Sequence, residues 1–169
     1  MDLQQIRLGL VLKKTGVPLN VRTFDGRLTL QKSGYLLQRA GVPLGYHFNW
    51  YLRGPYSPDL TDDFFTLATA ERAESGELDE WRLDSKSQEI VSRLKGLFDN
   101  AFARGSGAAR WLELLASALF LVRTRQADPN DPAGIVQVLR KNDKQYSESE
   151  VAEGIEELRN YGFPFERAR

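Results

Sequence analysis

The chain has no cysteine and only one histidine among its 169 residues. Without cysteine it can form no disulfide, no thiolate metal site and no cysteine nucleophile. The single histidine, His47, is too few for a two-histidine metal site, and no neighbouring residues mark a Ser-His-Asp triad. A P-loop, a paired-glycine dinucleotide fingerprint and an HExxH motif are also missing. We therefore expect no catalytic residue, no metal and no cofactor, and a protein that is not an enzyme.

The sequence also lacks a long hydrophobic run. Its longest apolar stretch, residues 114–122, is far short of the ~20 residues that cross a bilayer. The first residues show neither the basic start nor the apolar run of a signal peptide. Hydrophobic residues make up 41% of the chain and charged residues 27%, a composition typical of a soluble globular protein. We therefore expect a cytoplasmic protein.

Net charge is absent as well, because 23 basic side chains balance 23 acidic ones. The charges are unevenly spread: residues 1–60 hold eight Lys/Arg and three Asp/Glu, a net charge of +5. Residues 61–84 hold two and eight, a net charge of −6. A neutral total argues against nonspecific nucleic-acid binding, which requires a basic face. The basic N-terminal third still leaves room for a local patch.

Apolar residues at helical spacing predict about seven helices in one compact domain, residues 1–169. Its first half, residues 1–84, follows a helix–strand–helix–strand order, and its second half, residues 85–169, is helical. Asp25 is the predicted N-cap of the second helix, and Ser57 followed by Pro58 opens the third. Capping boxes at residues 85–88 and 147–150 open two more helices. The predicted helices cover residues 2–15, about 27–40, from 57, from 85, through 111–122, 132 to about 141, and from 147.

Residues 46–52 alternate between aromatic or aliphatic and polar side chains, which predicts a half-buried strand. Gly54-Pro55 is expected to end that strand, because proline cannot donate to a ladder. Residues 81–83 alternate similarly and are the predicted partner strand. The predicted fold class is therefore mainly α, or α+β, with a small two-stranded antiparallel hairpin. A winged-helix-like arrangement is one interpretation of this order.

Helix packing, turns and caps do not account for four residues in this region: Gln31, Lys32, Arg53 and Tyr56. Lysine early in a helix is disfavoured by the helix dipole, and a tyrosine at a rigid corner can present its ring to a partner. Together with Tyr51, these residues are the candidate contacts to a protein partner. Basic residues interleaved with aromatics can also bind nucleic acid. The candidates for that alternative are Arg22, Arg27, Lys32, Arg39 and Arg53.

The same region resembles the Panacea-type (SocA-like) antitoxin domain and the related YwgA-like proteins. The resemblance lies in Leu30-Gln31-Lys32, Tyr35-Leu36-Leu37, the aromatic strand and Gly54-Pro55-Tyr56-Ser57. Weaker likeness is found at residues 111–116, residues 144–147 and Gly162. Ser33-Gly34 stands where apolar residues are usual, and Gly-Pro-Tyr-Ser is closer to the YwgA-like form. The resemblance implies a compact helical domain with a small sheet, and Panacea-type members neutralise toxins by direct contact.

The expected function is that of a non-enzymatic interaction protein, an antitoxin-like or defence-associated accessory protein. Its partner would be another protein, either a toxin or a subunit of a complex. The alternative is a winged-helix-like nucleic-acid-binding protein or transcriptional regulator. Neither the residues nor the resemblance indicates an oligomeric state.

Overall fold

A computed structural model describes residues 1–165, and in this part of the chain it contains seven α-helices and a two-stranded antiparallel hairpin. The predicted fold class, mainly helical with one small hairpin, is confirmed. The elements are α1 Leu3–Thr15, α2 Phe24–Arg39, β1 Asn49–Tyr51, β2 Gly54–Tyr56, α3 Pro58–Arg72, α4 Ser85–Phe102, α5 Ala108–Arg123, α6 Pro132–Lys141 and α7 Glu148–Asn160.

Helices α2 and α5 form the centre of the core and pack against each other. Residues 30–37 of α2 are buried without interruption, and so are residues 111–119 of α5. The approach of α3 is close because Gly34 has no side chain, so that Leu60 lies where a Cβ would be. One cluster of buried apolar residues extends from Ile6 to Phe163. The helix predicted through residues 111–122 thus lies at the centre of the fold.

One helical stretch, Gly105–Arg123, is long and apolar enough to cross a membrane by length and composition alone. However, 67% of its most apolar window is buried inside the fold. Such burial is typical of the core helix of a soluble protein.

Several helices are capped by the residues that the sequence predicted, and two are not. Ser57 caps α3 with Pro58 in its first turn, and Ser147 forms a capping box at α7. The predicted N-cap of α2, Asp25, is wrong: Thr23 accepts the capping hydrogen bond, and Asp25 lies in the first turn, where its charge complements the dipole. The predicted capping box at residues 85–88 is also wrong, since Asp84 caps α4.

The hairpin is built differently from the prediction. Residues 81–83 form no strand; they follow a short 3-10 helix, Glu77–Glu80. Instead β2 begins at the Gly54-Pro55 that was expected only to end the first strand, and Trp50 pairs with Pro55. Proline is tolerated there because both strands of a two-stranded sheet are edge strands. The predicted alternation of burial does hold from 46 to 49, although only residues from 49 onward belong to a strand.

Candidate functional site

Two glutamines of α2 hold the extended segments on either side of the hairpin. The Gln31 side chain accepts a hydrogen bond from the Ser57 backbone N–H at 3.1 Å and donates to the Ser57 carbonyl at 2.7 Å. Gln38 holds the backbone of Tyr46 in the same way, at 2.8 and 2.7 Å. Seven residues separate the two glutamines, which places them on one face of the helix. Each amide therefore replaces a missing strand partner.

Lys32 is the most deeply buried charged side chain of this region, with 1% of its surface exposed. Its Nζ donates to the Pro55 carbonyl oxygen at 2.7 Å. Burial lowers the pKa of Lys32 to about 7; nearby Glu113 opposes that shift, and Lys144 adds to it. The lysine thus binds the backbone of β2 from the interior of the protein. Close to neutral pH its amine is only partly protonated.

A buried ion pair supports the other side of the hairpin. Lys144 lies between α6 and α7, and its Nζ is 2.7 Å from Glu113 Oε1 of α5. The same ammonium group donates to the Leu52 carbonyl oxygen at 2.9 Å. Removing one member of a buried pair leaves an uncompensated charge, which costs several kcal/mol. Lys144 and Lys32 thus bind the carbonyl oxygens of Leu52 and Pro55, and the carboxylate of Glu113 offsets the positive charge of the lysines.

The hairpin also requires a glycine at the point where it meets α5. Gly54 has a φ of +87°, a left-handed conformation that side chains disfavour. A Cβ on Gly54 would approach the Ser117 hydroxyl oxygen closer than 3.0 Å. The backbone of β2 can therefore lie against α5 only without a side chain at this position.

The tip of this tethered hairpin is exposed and apolar. Leu52 is 77% exposed, Tyr51 61% and the neighbouring Phe24 of α2 54%. The Arg53 guanidinium lies 5.5 Å from the centroid of the Phe24 ring. The Tyr51 and Tyr56 rings are 5.6 Å apart. We call these five residues the hairpin-tip surface.

Two cavities flank the tip and share Phe24, Leu28, Leu52 and Arg53 as walls. The first, of about 420 Å³, opens between α2 and the hairpin. The second, of about 670 Å³, opens toward the loop after α6 and contains the buried ion pair. The remaining walls of the first are Arg27, Gln31, Lys32, Tyr51, Tyr56 and Thr61.

The structure divides the predicted partner-binding residues into two groups. Tyr51 and Arg53 lie on the surface, and Tyr56 is half-buried with its hydroxyl accepting a hydrogen bond from Thr61. Gln31 and Lys32, by contrast, are buried, and their side chains bind the backbone of the hairpin segment. Lys32 also does not lie early in its helix, since α2 begins at Phe24.

The five basic candidates for nucleic-acid binding do not form one continuous patch. Lys32 is buried, and the Arg39 guanidinium lies 5.2 Å from the centroid of the Tyr35 ring. Arg27 and Arg39 are twelve residues apart on one helix, roughly 18 Å along its axis. Only Arg27 and Arg53 line the same cavity, together with the buried Lys32.

Sequence reasoning missed Phe24, Leu52, Glu113 and Lys144 as parts of the site. Glu113 did carry a signal, since it is a charged residue inside the most apolar helical stripe of the chain. Such a residue is expected to have a buried partner. Nothing in the local sequence identified that partner as Lys144, which is 31 residues away.

The fold and the site together define a mainly helical protein that presents a short hairpin tethered by buried polar side chains. Comparison of the chain with protein-family models, with curated proteins and with solved structures finds no match.

Proposed function

We propose that this protein is a non-enzymatic interaction module that binds another protein through its hairpin-tip surface. The observation that carries the proposal is the exposure of Leu52 and Tyr51, with Phe24 of α2 beside them, on a hairpin whose backbone is bound by two buried lysines. Neighbouring exposed apolar side chains that form one patch are typical of interaction sites.

The composition of the surface supports a protein partner. Tyrosine and arginine are enriched among the residues that dominate binding energies, and the tip supplies Tyr51, Tyr56 and Arg53. Fully burying a leucine such as Leu52 contributes about 1.5–3 kcal/mol. A tip that is already fixed loses little conformational entropy on binding, so more of this energy appears as affinity.

The resemblance to Panacea-type and YwgA-like proteins supports a more specific form of the proposal. On this view the protein is an antitoxin-like or defence-associated accessory protein of the cytoplasm, and its partner is a toxin or a subunit of a complex. Several of the resembling residues, Gln31, Lys32 and Gly54-Pro55, are those that tether the hairpin. Such a motif would preserve the tip's position while the tip itself varies with the partner.

The test is affinity purification of the tagged protein from its native host, followed by reconstitution with the purified partner. Leu52→Asp places a charge in the centre of the tip and should abolish a stoichiometric complex. The matched control is Leu3→Asp, because Leu3 is 63% exposed and lies in the first turn of α1, where an acidic residue is favourable. No partner, or a partner retained by Leu52→Asp, would contradict the proposal.

Nucleic-acid binding is measured in the same preparation. A nucleic-acid-binding protein would bind DNA or RNA at about 50 mM salt and lose that affinity steeply as salt rises. The burial of Lys32 and the separate position of Arg39 argue against this result. Salt-dependent binding that requires Arg27 and Arg53 would favour the alternative function.

A further inference from the structure

The 420 Å³ cavity beside the tip has an unusual charge balance. Arg27, Lys32 and Arg53 line it, and none of its lining residues is acidic. Arg27 donates to the Val21 carbonyl, and Arg53 stacks on Phe24. Neither arginine has an ion-pair partner within residues 1–165. Two uncompensated guanidinium groups therefore face one cavity.

The other walls of this cavity are mostly aromatic or aliphatic. Phe24, Leu28, Tyr51, Leu52 and Tyr56 surround the two arginines. The adjoining 670 Å³ cavity differs, because Asp25, Glu113 and Asp143 are among its lining residues. Only the smaller cavity combines positive charge with an apolar wall and no carboxylate of its own.

We propose that the 420 Å³ cavity is an anchor pocket that takes a carboxylate adjacent to an aromatic or large apolar group on the protein partner. Charge complementarity selects the carboxylate, which a guanidinium can bind with two parallel hydrogen bonds. The aromatic walls select the apolar group, because offset or edge-to-face ring contacts add to buried area. This inference rests on the proposed function, since the pocket opens within the hairpin-tip surface.

The position of the pocket explains why it would act as an anchor. Residues that dominate a binding energy lie near the centre of an interface, in pockets surrounded by a rim that excludes water. Here Leu52, Tyr51 and Phe24 are both pocket walls and the most exposed apolar residues of the tip. A partner that covers them would enclose the two arginines and strengthen their pairing with its carboxylate.

The first experiment uses two small probes with the complete protein. N-acetylphenylalanine carries a free carboxylate, and its amide is the same molecule without the charge. A ligand of about 15 non-hydrogen atoms is expected to bind with a dissociation constant of about 0.5 mM. Each probe is titrated to about 10 mM and monitored by nuclear magnetic resonance of the backbone amides. The signals of Leu28, Leu52 and Tyr56 should shift with the acid only. Equal responses to both probes, or none to either, would overturn the pocket.

Single substitutions test whether Arg27 and Arg53 bind the carboxylate of the probe. Arg27→Gln and Arg53→Gln should each weaken binding of the acid by roughly tenfold, the effect of losing one charge-assisted contact. Arg22→Gln is the control, because Arg22 is exposed and outside the cavity. Unchanged binding in both test variants would refute the assignment.

The failure of the pocket can be distinguished from the failure of the proposed function. A partner that requires Leu52 but binds Arg27→Gln and Arg53→Gln normally would leave the interaction module intact and remove the anchor pocket. A partner whose affinity for each of the two variants is about tenfold lower than for the native protein would support the pocket.

Discussion

The buried Lys32 is expected to make the stability of the fold rise as pH increases from about 7 to about 9. Its pKa is near 10.5 in an unfolded chain and about 7 in the folded protein. Between these two values the unfolded chain holds a proton that the folded protein has lost. Raising the pH lowers the proton activity, which favours the state that binds fewer protons, and in this range that state is the folded one.

The size of the effect follows from the same two pKa values. At pH 7 the folded lysine is half protonated, and by pH 9 it is nearly neutral, while the unfolded lysine stays mostly charged. Linkage then gives a gain of about 2 kcal/mol in the free energy of unfolding between pH 7 and pH 9. Burial raises the pKa of Tyr46 and Tyr146 above the usual value of 10.0, so these groups oppose the trend only at higher pH.

The assay is urea unfolding at pH 7, 8 and 9, followed by tryptophan fluorescence and circular dichroism. Lys32→Met roughly retains the length of the side chain but removes its charge. The free energy of unfolding of the native protein should therefore rise relative to that of the variant as the pH increases. Losing the hydrogen bond to Pro55 adds a cost of about 1 kcal/mol that does not depend on pH. The control is Lys95→Met, since Lys95 is exposed.

Two results would refute this reasoning. If the stabilities of the native protein and of Lys32→Met change in parallel from pH 7 to 9, Lys32 is charged in the fold throughout that range. If Lys95→Met alters the slope as much as Lys32→Met does, the effect belongs to the overall charge and not to burial.

Two further predictions concern the tether and are measured by urea unfolding. Gly54→Ala should cost about 3 kcal/mol of stability, and the control Gly76→Ala about 1 kcal/mol. Both glycines have a positive φ, but of the two only Gly54 faces a neighbour, Ser117. Adding Ser117→Ala to Gly54→Ala should recover the difference, and no recovery would mean that the collision with Ser117 is not the cause. Lys144→Met should cost about 3–5 kcal/mol by leaving Glu113 unpaired, and adding Glu113→Gln should restore part of it; additive losses would contradict a coupled pair.

The helices could be predicted from the sequence because their signal is local. Apolar residues at helical spacing and Ser57 with Pro58 are contained within one or two turns, and the structure confirms them. The hairpin partner could not be predicted in the same way. Strands of three residues are too short to show alternation, and Gly54-Pro55 resembles the end of a strand more than the start of one.

Two of the residues that helix physics left unexplained have partners inside the fold. Gln31 and Lys32 did not fit the physics of an isolated helix, because their partners lie 26 and 23 residues away in the hairpin segment. Helix periodicity contains no information about such distant contacts. Arg53 and Tyr51, by contrast, lie on the surface where the sequence placed them, since a tip between two short strands is exposed by geometry alone.

The choice of charged side chains beneath the hairpin is itself informative. A two-stranded hairpin is marginally stable alone, and apolar packing would have stabilised it at a lower desolvation cost than two lysines and a glutamate. Apolar packing is not directional, whereas hydrogen bonds from Lys144 to Leu52 and from Lys32 to Pro55 fix the two carbonyls that bracket the tip. The tether therefore contributes orientation more than stability, and orientation is what the proposed binding surface at Leu52 would require.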